Sequence, residues 1–135
     1  MNNKQINADV NSEKEEIKKL ISLYQNKDIT AAEERSKVFL TKYPKSFFVY
    51  NLLGIILTSQ NKNQEAINNY GRALKIKPDY PEAYFNLGIV YKKNNNPENA
   101  KTSFINAIKI KPNYIEALNN LGLILKEQGE FEEAK

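Results

Sequence analysis

The sequence predicts an all-α protein, a solenoid of stacked antiparallel helix hairpins. Three observations carry that expectation. Pro44, Pro78 and Pro112 are evenly spaced, at the ~34-residue period of a helix-hairpin repeat. The motif Tyr50-x-x-Leu53-Gly54 returns as Tyr84-x-x-Leu87-Gly88, and more loosely as Leu118-x-x-Leu121-Gly122. Between these landmarks the apolar residues recur at i, i+3, i+4 and i+7, which is helical spacing.

Taken in order, residues 1–12 are polar and Asn-rich and read as a flexible leader. Residues 13–46 form a first helix pair. Asn11 or Ser12 caps its first helix, Glu13, Glu15 and Glu16 suit the positive first turn, and Ile17, Leu20, Ile21 and Tyr24 make the stripe. Asn26-Lys27-Asp28 breaks the pattern. A second stripe through Ala32, Ser36, Phe39 and Leu40 stops before Pro44, because a residue preceding proline is pushed out of the helical region.

Residues 47–80 hold the first full repeat. One helix carries Tyr50, Leu53, Gly54 and Leu57, and a turn at Asn61-Lys62-Asn63 exploits the tolerance of Asn for left-handed backbone. The return helix then places Ala66, Tyr70, Ala73 and Leu74 inward. Residues 81–114 repeat this with Tyr84, Leu87, Gly88 and Tyr91, a turn at Asn94-Asn95-Asn96, and Ala100, Phe104, Ala107 and Ile108. Pro81 and Pro97 suit first helical turns. Residues 115–135 begin a third repeat through Leu118, Leu121, Gly122 and Leu125, with a turn expected at Gly129 and a truncated second helix bearing Phe131 and Ala134. Gly54 and Ala66, Gly88 and Ala100, and Gly122 and Ala134 share one spacing, a helix plus a tight turn, so each pair is expected where two antiparallel helices cross. One hairpin cannot bury its own apolar face, so neighbours must stack.

Composition narrows the chemistry. With neither Cys nor His in 135 residues, the thiolate nucleophile, the commonest general base and the usual transition-metal ligands are absent. No phosphate-binding glycine loop occurs. Neither catalytic, cofactor-binding nor metal-ligating residues are expected, and the protein reads as a non-enzyme. Glu130, Glu132 and Glu133 are explained by the dipole of a helix start. No apolar run approaches the ~20 residues of a membrane helix, and residues 1–7 lack the apolar core of a secretory signal, so no membrane partner is expected and the cytoplasm is the expected compartment.

The net charge of +4 is uneven: residues 45–112 carry ten Lys/Arg against four Asp/Glu, and residues 113–135 carry two against five. A basic middle with Tyr50, Tyr70, Tyr84 and Tyr91 raises nucleic-acid binding as an alternative. The tyrosines fall at core positions, however, and the cations scatter rather than form one stripe, so a solvated surface is preferred.

The positions Tyr84, Leu87, Gly88, Tyr91, Ala100, Phe104, Ala107 and Pro112 resemble the tetratricopeptide repeat, W-x2-L-G-x2-Y followed by A-x3-F, Ala and Pro over ~34 residues. Tyr50, Leu53, Gly54, Ala66, Tyr70, Ala73 and Pro78 match as well, with Leu57 in the second aromatic place. The first pair fits less closely: Tyr24 lies one residue too near Ala32, and Leu20-Ile21 replaces Leu-Gly, as in a degenerate capping repeat. The resemblance implies a right-handed α-solenoid and a non-catalytic scaffold, whose first helices line a concave groove for a peptide or partner domain. The groove residues it implies are Phe48, Asn51, Leu52 and Ile55, then Glu82, Phe85, Asn86 and Ile89, then Asn119, Asn120 and Leu123, with Thr58, Lys92, Glu116 and Lys126 at the margins.

Two family sub-patterns bear on that groove. A clamp for acidic tails is rejected, because Asn51, Ile55, Glu116 and Asn120 stand where Lys, Asn, Lys and Arg are wanted. An Asn ladder fits better. Asn51, Asn86, Asn119 and Asn120 fill four of six adjacent groove places, where 19 Asn in 135 residues would supply about one by chance. An amide can both donate to and accept from a peptide backbone. The chain also resembles the N-terminal repeat region of larger bacterial proteins that carry glycosyltransferase or sulfotransferase domains, although no transferase residues are present. Self-association is a further possibility, through Leu121, Leu125 and Phe131 on the last helix.

Overall fold

The computed structural model describes residues 2–134, apart from the side chains of residues 131, 132 and 134. Within them lie seven helices and no strand: α1 (Asn3–Gln25), α2 (Ile29–Lys42), α3 (Phe47–Ser59), α4 (Asn63–Ile76), α5 (Pro81–Lys93), α6 (Pro97–Ile110) and α7 (Ile115–Ala134). Each odd-numbered helix through α5 pairs with the one that follows it. The hairpins stack by setting α2 against α3, α4 against α5 and α6 against α7. The expected all-α solenoid is the observed architecture.

The period is kept to the residue. The second arms begin at Ile29, Asn63 and Pro97, and the first arms from α3 onward at Phe47, Pro81 and Ile115. Each first arm through α5 ends on a left-handed residue, Lys27 (φ 62°), Asn61 (φ 60°) and Asn95 (φ 57°), again at the repeat spacing. The next amide closes a six-to-one turn in each case: Asp28 N to Leu23 O, Lys62 N to Leu57 O and Asn96 N to Tyr91 O, all 2.9 Å. This Schellman closure satisfies the carbonyls left free at a helix end. Lys27 occupies a conformation in which Asn is less strained.

The first pair therefore has no slip. Leu23, not Tyr24, stands in register with Leu57, and Leu20 takes the glycine position of Gly54 and Gly88. Ser36 correspondingly takes the position of Tyr70 and Phe104. Bulk has moved from the second arm to the first, and both Leu20 (3 % exposed) and Ser36 (0 %) are buried.

The glycines have a different partner from the one expected. A Cβ on Gly54 would run into the Tyr70 ring, and one on Gly88 would stand 2.5 Å from Phe104 Cε1. Glycine is needed to seat the aromatic ring of the return helix, while Ala66 and Ala100, fully buried, pack the crossing beside it. Around these rings lie Leu53, Ile56, Leu57 and Val90 in one core cluster, and Ala107, Ala117 and Ile124 in the next. Tyr70 keeps its hydroxyl 3.2 Å from Thr58 Oγ1, which itself donates to Gly54 O at 2.8 Å; burial pushes the phenol up to about 12.

Three expectations need correction. Residues 3–12 are the first turns of α1, not a coil: Asn2, rather than Asn11 or Ser12, caps the helix, accepting from Gln5 N at 2.9 Å, and these turns extend outward with exposed side chains. α7 runs straight through Gly129. Gly122 consequently has nothing within 4 Å of a notional Cβ, while the Phe131 and Ala134 side chains lie outside the described residues.

The outer face of the first hairpin is polar. On α3, α5 and α7 the residues facing the preceding hairpin are apolar: Val49, Ala83 and Ala117; Leu53, Leu87 and Leu121; Ile56, Val90 and Ile124. At the same register α1 carries Glu15, Lys19 and Ser22, all exposed. That face of α1 is water-compatible, as a terminal repeat requires. Behind it Glu33, 9 % exposed, pairs with Lys37 of its own helix at 2.8 Å and ties the first two hairpins together through Lys62 at 3.0 Å.

Candidate functional site

The candidate surface is the face shared by α3, α5 and α7. A stripe along each helix recurs with the repeat period, so equivalent residues form rungs: Phe48, Glu82 and Glu116; Asn51, Phe85 and Asn119; Leu52, Asn86 and Asn120; Ile55, Ile89 and Leu123; Thr58, Lys92 and Lys126. Spacings of three and four residues place each set of five on one side of its helix.

These residues divide by environment. Leu52 (7 % exposed) belongs to the core with Leu53 and Leu57, and Asn51 (6 %) is equally buried. Asn51 Oδ1 accepts from Asn86 Nδ2 at 3.0 Å, joining α3 to α5. Phe85 is half-buried, stacked on Tyr114 with ring centroids 5.1 Å apart and tilted against Phe104 at 5.8 Å. Of the expected groove residues, Asn51, Leu52 and Phe85 therefore hold neighbouring elements together. The reason is positional: their rungs lie beside the next first arm, where side chains are drawn into the joint.

The others remain accessible. Phe48 (39 % exposed) and Leu123 (43 %) are open, as are Glu82 and Asn119, while Ile55, Asn86, Ile89 and Asn120 are half-buried. Asn120 Nδ2 donates to Glu116 O at 2.8 Å. No ion pair among the described residues engages Glu82, Glu116, Lys92 or Lys126.

Two tyrosines that sequence reasoning missed frame one edge. Tyr80 and Tyr114 are buried, 7 % and 8 % exposed. Burial first, and then the nearby carboxylates of Glu82 and Glu116, push the Tyr114 phenol up to about 12. Tyr80 is raised by burial and Glu82, against a lowering hydrogen bond from Asn51. Their separation by one repeat period was the available signal.

A depression of about 920 Å³ lies elsewhere, between the α1–α2 and α3–α4 turns beside Tyr24, Gln60 and Lys62. Its buried charge, Glu33, is already satisfied by Lys37 and Lys62. Among the described residues no group of His, Cys, Asp and Glu is placed to hold a metal ion, and no helix is long and apolar enough to cross a membrane. The tyrosines of the basic middle are packed: Tyr70 is in the core, and Tyr50, Tyr84 and Tyr91 lie against it. Several of the cations are engaged as well, Lys62 with Glu33 and Lys101 with Glu98, Arg72 over Tyr50 and Lys77 over Phe47.

Comparison with known proteins agrees with this geometry. A model described as TPR repeat matches residues 54–95, and two described as tetratricopeptide repeat match residues 81–114 and 104–135, together more than half of the chain. A probable biofilm formation methyltransferase of Pseudomonas putida is 35% identical over 52 residues, 38% of this chain and 12% of that protein. The peroxisomal targeting signal receptor of Eremothecium gossypii is 32% identical over 66 residues, 49% of this chain and 12% of the receptor. The chain thus spans about an eighth of the curated relatives it matches. Among solved structures, MamA superposes with a TM-score of 0.82 at 28% identity, covering 97% of this chain and 77% of that one. The first TPR of Spaghetti, bound to an HSP90 peptide, gives 0.80 at 18% identity, covering 83% and 89%.

Proposed function

Because the chain belongs to the tetratricopeptide-repeat family, we propose that it is a non-catalytic scaffold holding a peptide or partner domain along the shared face of α3, α5 and α7. One observation carries this reading. Phe48, Ile55, Asn86, Ile89, Asn120 and Leu123 form a continuous, partly exposed mixture of apolar surface and amides, repeated in register and covered by no other helix among the described residues. Apolar area supplies affinity and the amides supply orientation. At the level of the fold, the reading is supported by the Spaghetti repeats, which hold a peptide, and by a relative named as a receptor for a targeting signal.

Selection of ligands from a displayed random-peptide library, followed by titration of the selected peptide, tests it. Ile89→Asp and Leu123→Asp are expected to weaken binding at least tenfold with helix content unchanged, because each sets a charge on the apolar rung. Val38→Asp, on α2 beside Lys19 and Arg35 at 68 % exposure, is expected to leave affinity unchanged. Equal loss from Val38→Asp, or none from the other two, would remove the face from consideration.

A second reading rests on α7. Ile115 (60 % exposed), Leu118 (41 %) and Leu125 (50 %) line it beside Gly122, against which no ring packs, an apolar stripe suited to a second copy. Light scattering at high concentration is expected to show a dimer that Leu118→Glu abolishes; a monomer throughout would exclude it.

A further inference from the structure

The face shared by α3, α5 and α7 is bordered by opposite charges. Glu82 and Glu116 stand near the N-terminal ends of α5 and α7; Lys92 and Lys126 stand further along the same helices. The intervening helix, about ten residues, spans about 15 Å. Between the borders lie the Asn86 and Asn120 amides and the Ile89 and Leu123 side chains. The result is a trough running across the helices, acidic on one bank and basic on the other. The stretch over α3 is neutral, with Phe48 and Thr58 in the corresponding places, so the trough is charged over α5 and α7 and apolar over α3. Helix dipoles favour Glu82, Glu116 and Lys92, which lie in terminal turns, yet none of the four charges is spent on an ion pair among the described residues.

Resting on the reading of this face as the binding surface, we propose that its ligand is an amphipathic α-helix with cations on one edge and anions on the other. An α-helix with its side chains is about 10–12 Å across, which fills a trough of about 15 Å and brings both edges to the banks. First-arm helices about 10 Å apart correspond to about one heptad of ligand helix, so charges on one edge recur about once per heptad. The ligand's uncharged end lies on Phe48 and Ile55 over α3. The pattern fixes direction as well as affinity, because turning the ligand end for end presents each edge to the wrong bank.

Three synthetic helical peptides test this, sharing one leucine stripe and each long enough to cross both charged helices. The first carries Lys on one edge and Glu on the other, the second Lys on both, and the third Glu on both. The first is expected to bind about tenfold more tightly than either of the others, with the advantage shrinking as salt rises. Glu82→Lys/Glu116→Lys, which makes both banks basic, should transfer the preference to the third peptide, with Glu on both edges. The fourfold reversal, adding Lys92→Glu and Lys126→Glu, should restore affinity with the peptide turned around. A spin label on the peptide's N-terminus would then broaden resonances at the opposite end of the trough. Equal binding of all three peptides, or an orientation unmoved by the reversal, overturns the charged banks and leaves the apolar groove standing. Failure of all three to bind overturns both.

Discussion

Gly88 and Phe104 are fitted to each other: any Cβ on Gly88 would stand 2.5 Å from Phe104 Cε1, and the ring, fully buried, has nowhere to withdraw. Gly88→Ala is therefore expected to cost about 1–3 kcal/mol, the usual cost of overpacking a core. Gly122→Ala occupies the same register position but meets nothing within 4 Å. It should be neutral or stabilise by up to about 1 kcal/mol through helix propensity. Urea unfolding of both variants checks the contrast.

Ser36 sits where the later hairpins carry an aromatic ring, with its hydroxyl buried and unpaired. Replacing a buried donor that makes no bond relieves a desolvation cost, so Ser36→Ala should stabilise by about 1 kcal/mol. Thermal unfolding reads it as a raised midpoint.

Glu33 holds its proton weakly. Its hydrogen bond with Lys37 leads, with Lys62 assisting against the opposing effect of burial, and its pKa is lowered from 4.5 to about 2. A carboxyl whose folded pKa is depressed contributes stability that is full above the unfolded value and lost as pH falls. The loss should therefore fall between about pH 4.5 and pH 2, and amount to a few kcal/mol at most. Glu33→Gln should lower stability at pH 7 and flatten the acid limb, which denaturant midpoints measured across that window would show.

Asn51 and Asn120 should separate stability from binding. Asn51 is buried and bonded to Asn86, so Asn51→Ala should cost about 1–3 kcal/mol and change the affinity of a groove peptide by less than about threefold. Asn120 bonds only to a carbonyl of its own helix. Asn120→Ala should leave the unfolding midpoint within about 0.5 kcal/mol and weaken the peptide several-fold. Calorimetry and denaturation on the same two samples check both halves.

Much of the fold was legible because the period is redundant. Tyr50 and Tyr84, Ala66 and Ala100, and Pro44, Pro78 and Pro112 each state it independently. The first pair was harder to register because its signature residues are exchanged, Leu20 for glycine and Ser36 for the ring. A volume traded between two helices leaves no trace in a residue-by-residue pattern. The turn expected at Gly129 followed the period, yet α7 stays helical across that glycine. In the candidate site the rungs could be read from the period, but not their burial. Whether Asn51 faces a ligand or Asn86 depends on how closely α3 approaches α5, a tertiary quantity. The pairing of Glu33 with Lys62, on different hairpins, was invisible for the same reason.

The central claim is that the face of α3, α5 and α7 receives a ligand. Amide chemical-shift mapping with a peptide selected for binding tests it most directly. The account predicts that the largest changes cluster at Phe48, Ile55, Asn86, Ile89, Asn120 and Leu123. Changes concentrated instead on α2, α4 and α6 would contradict it.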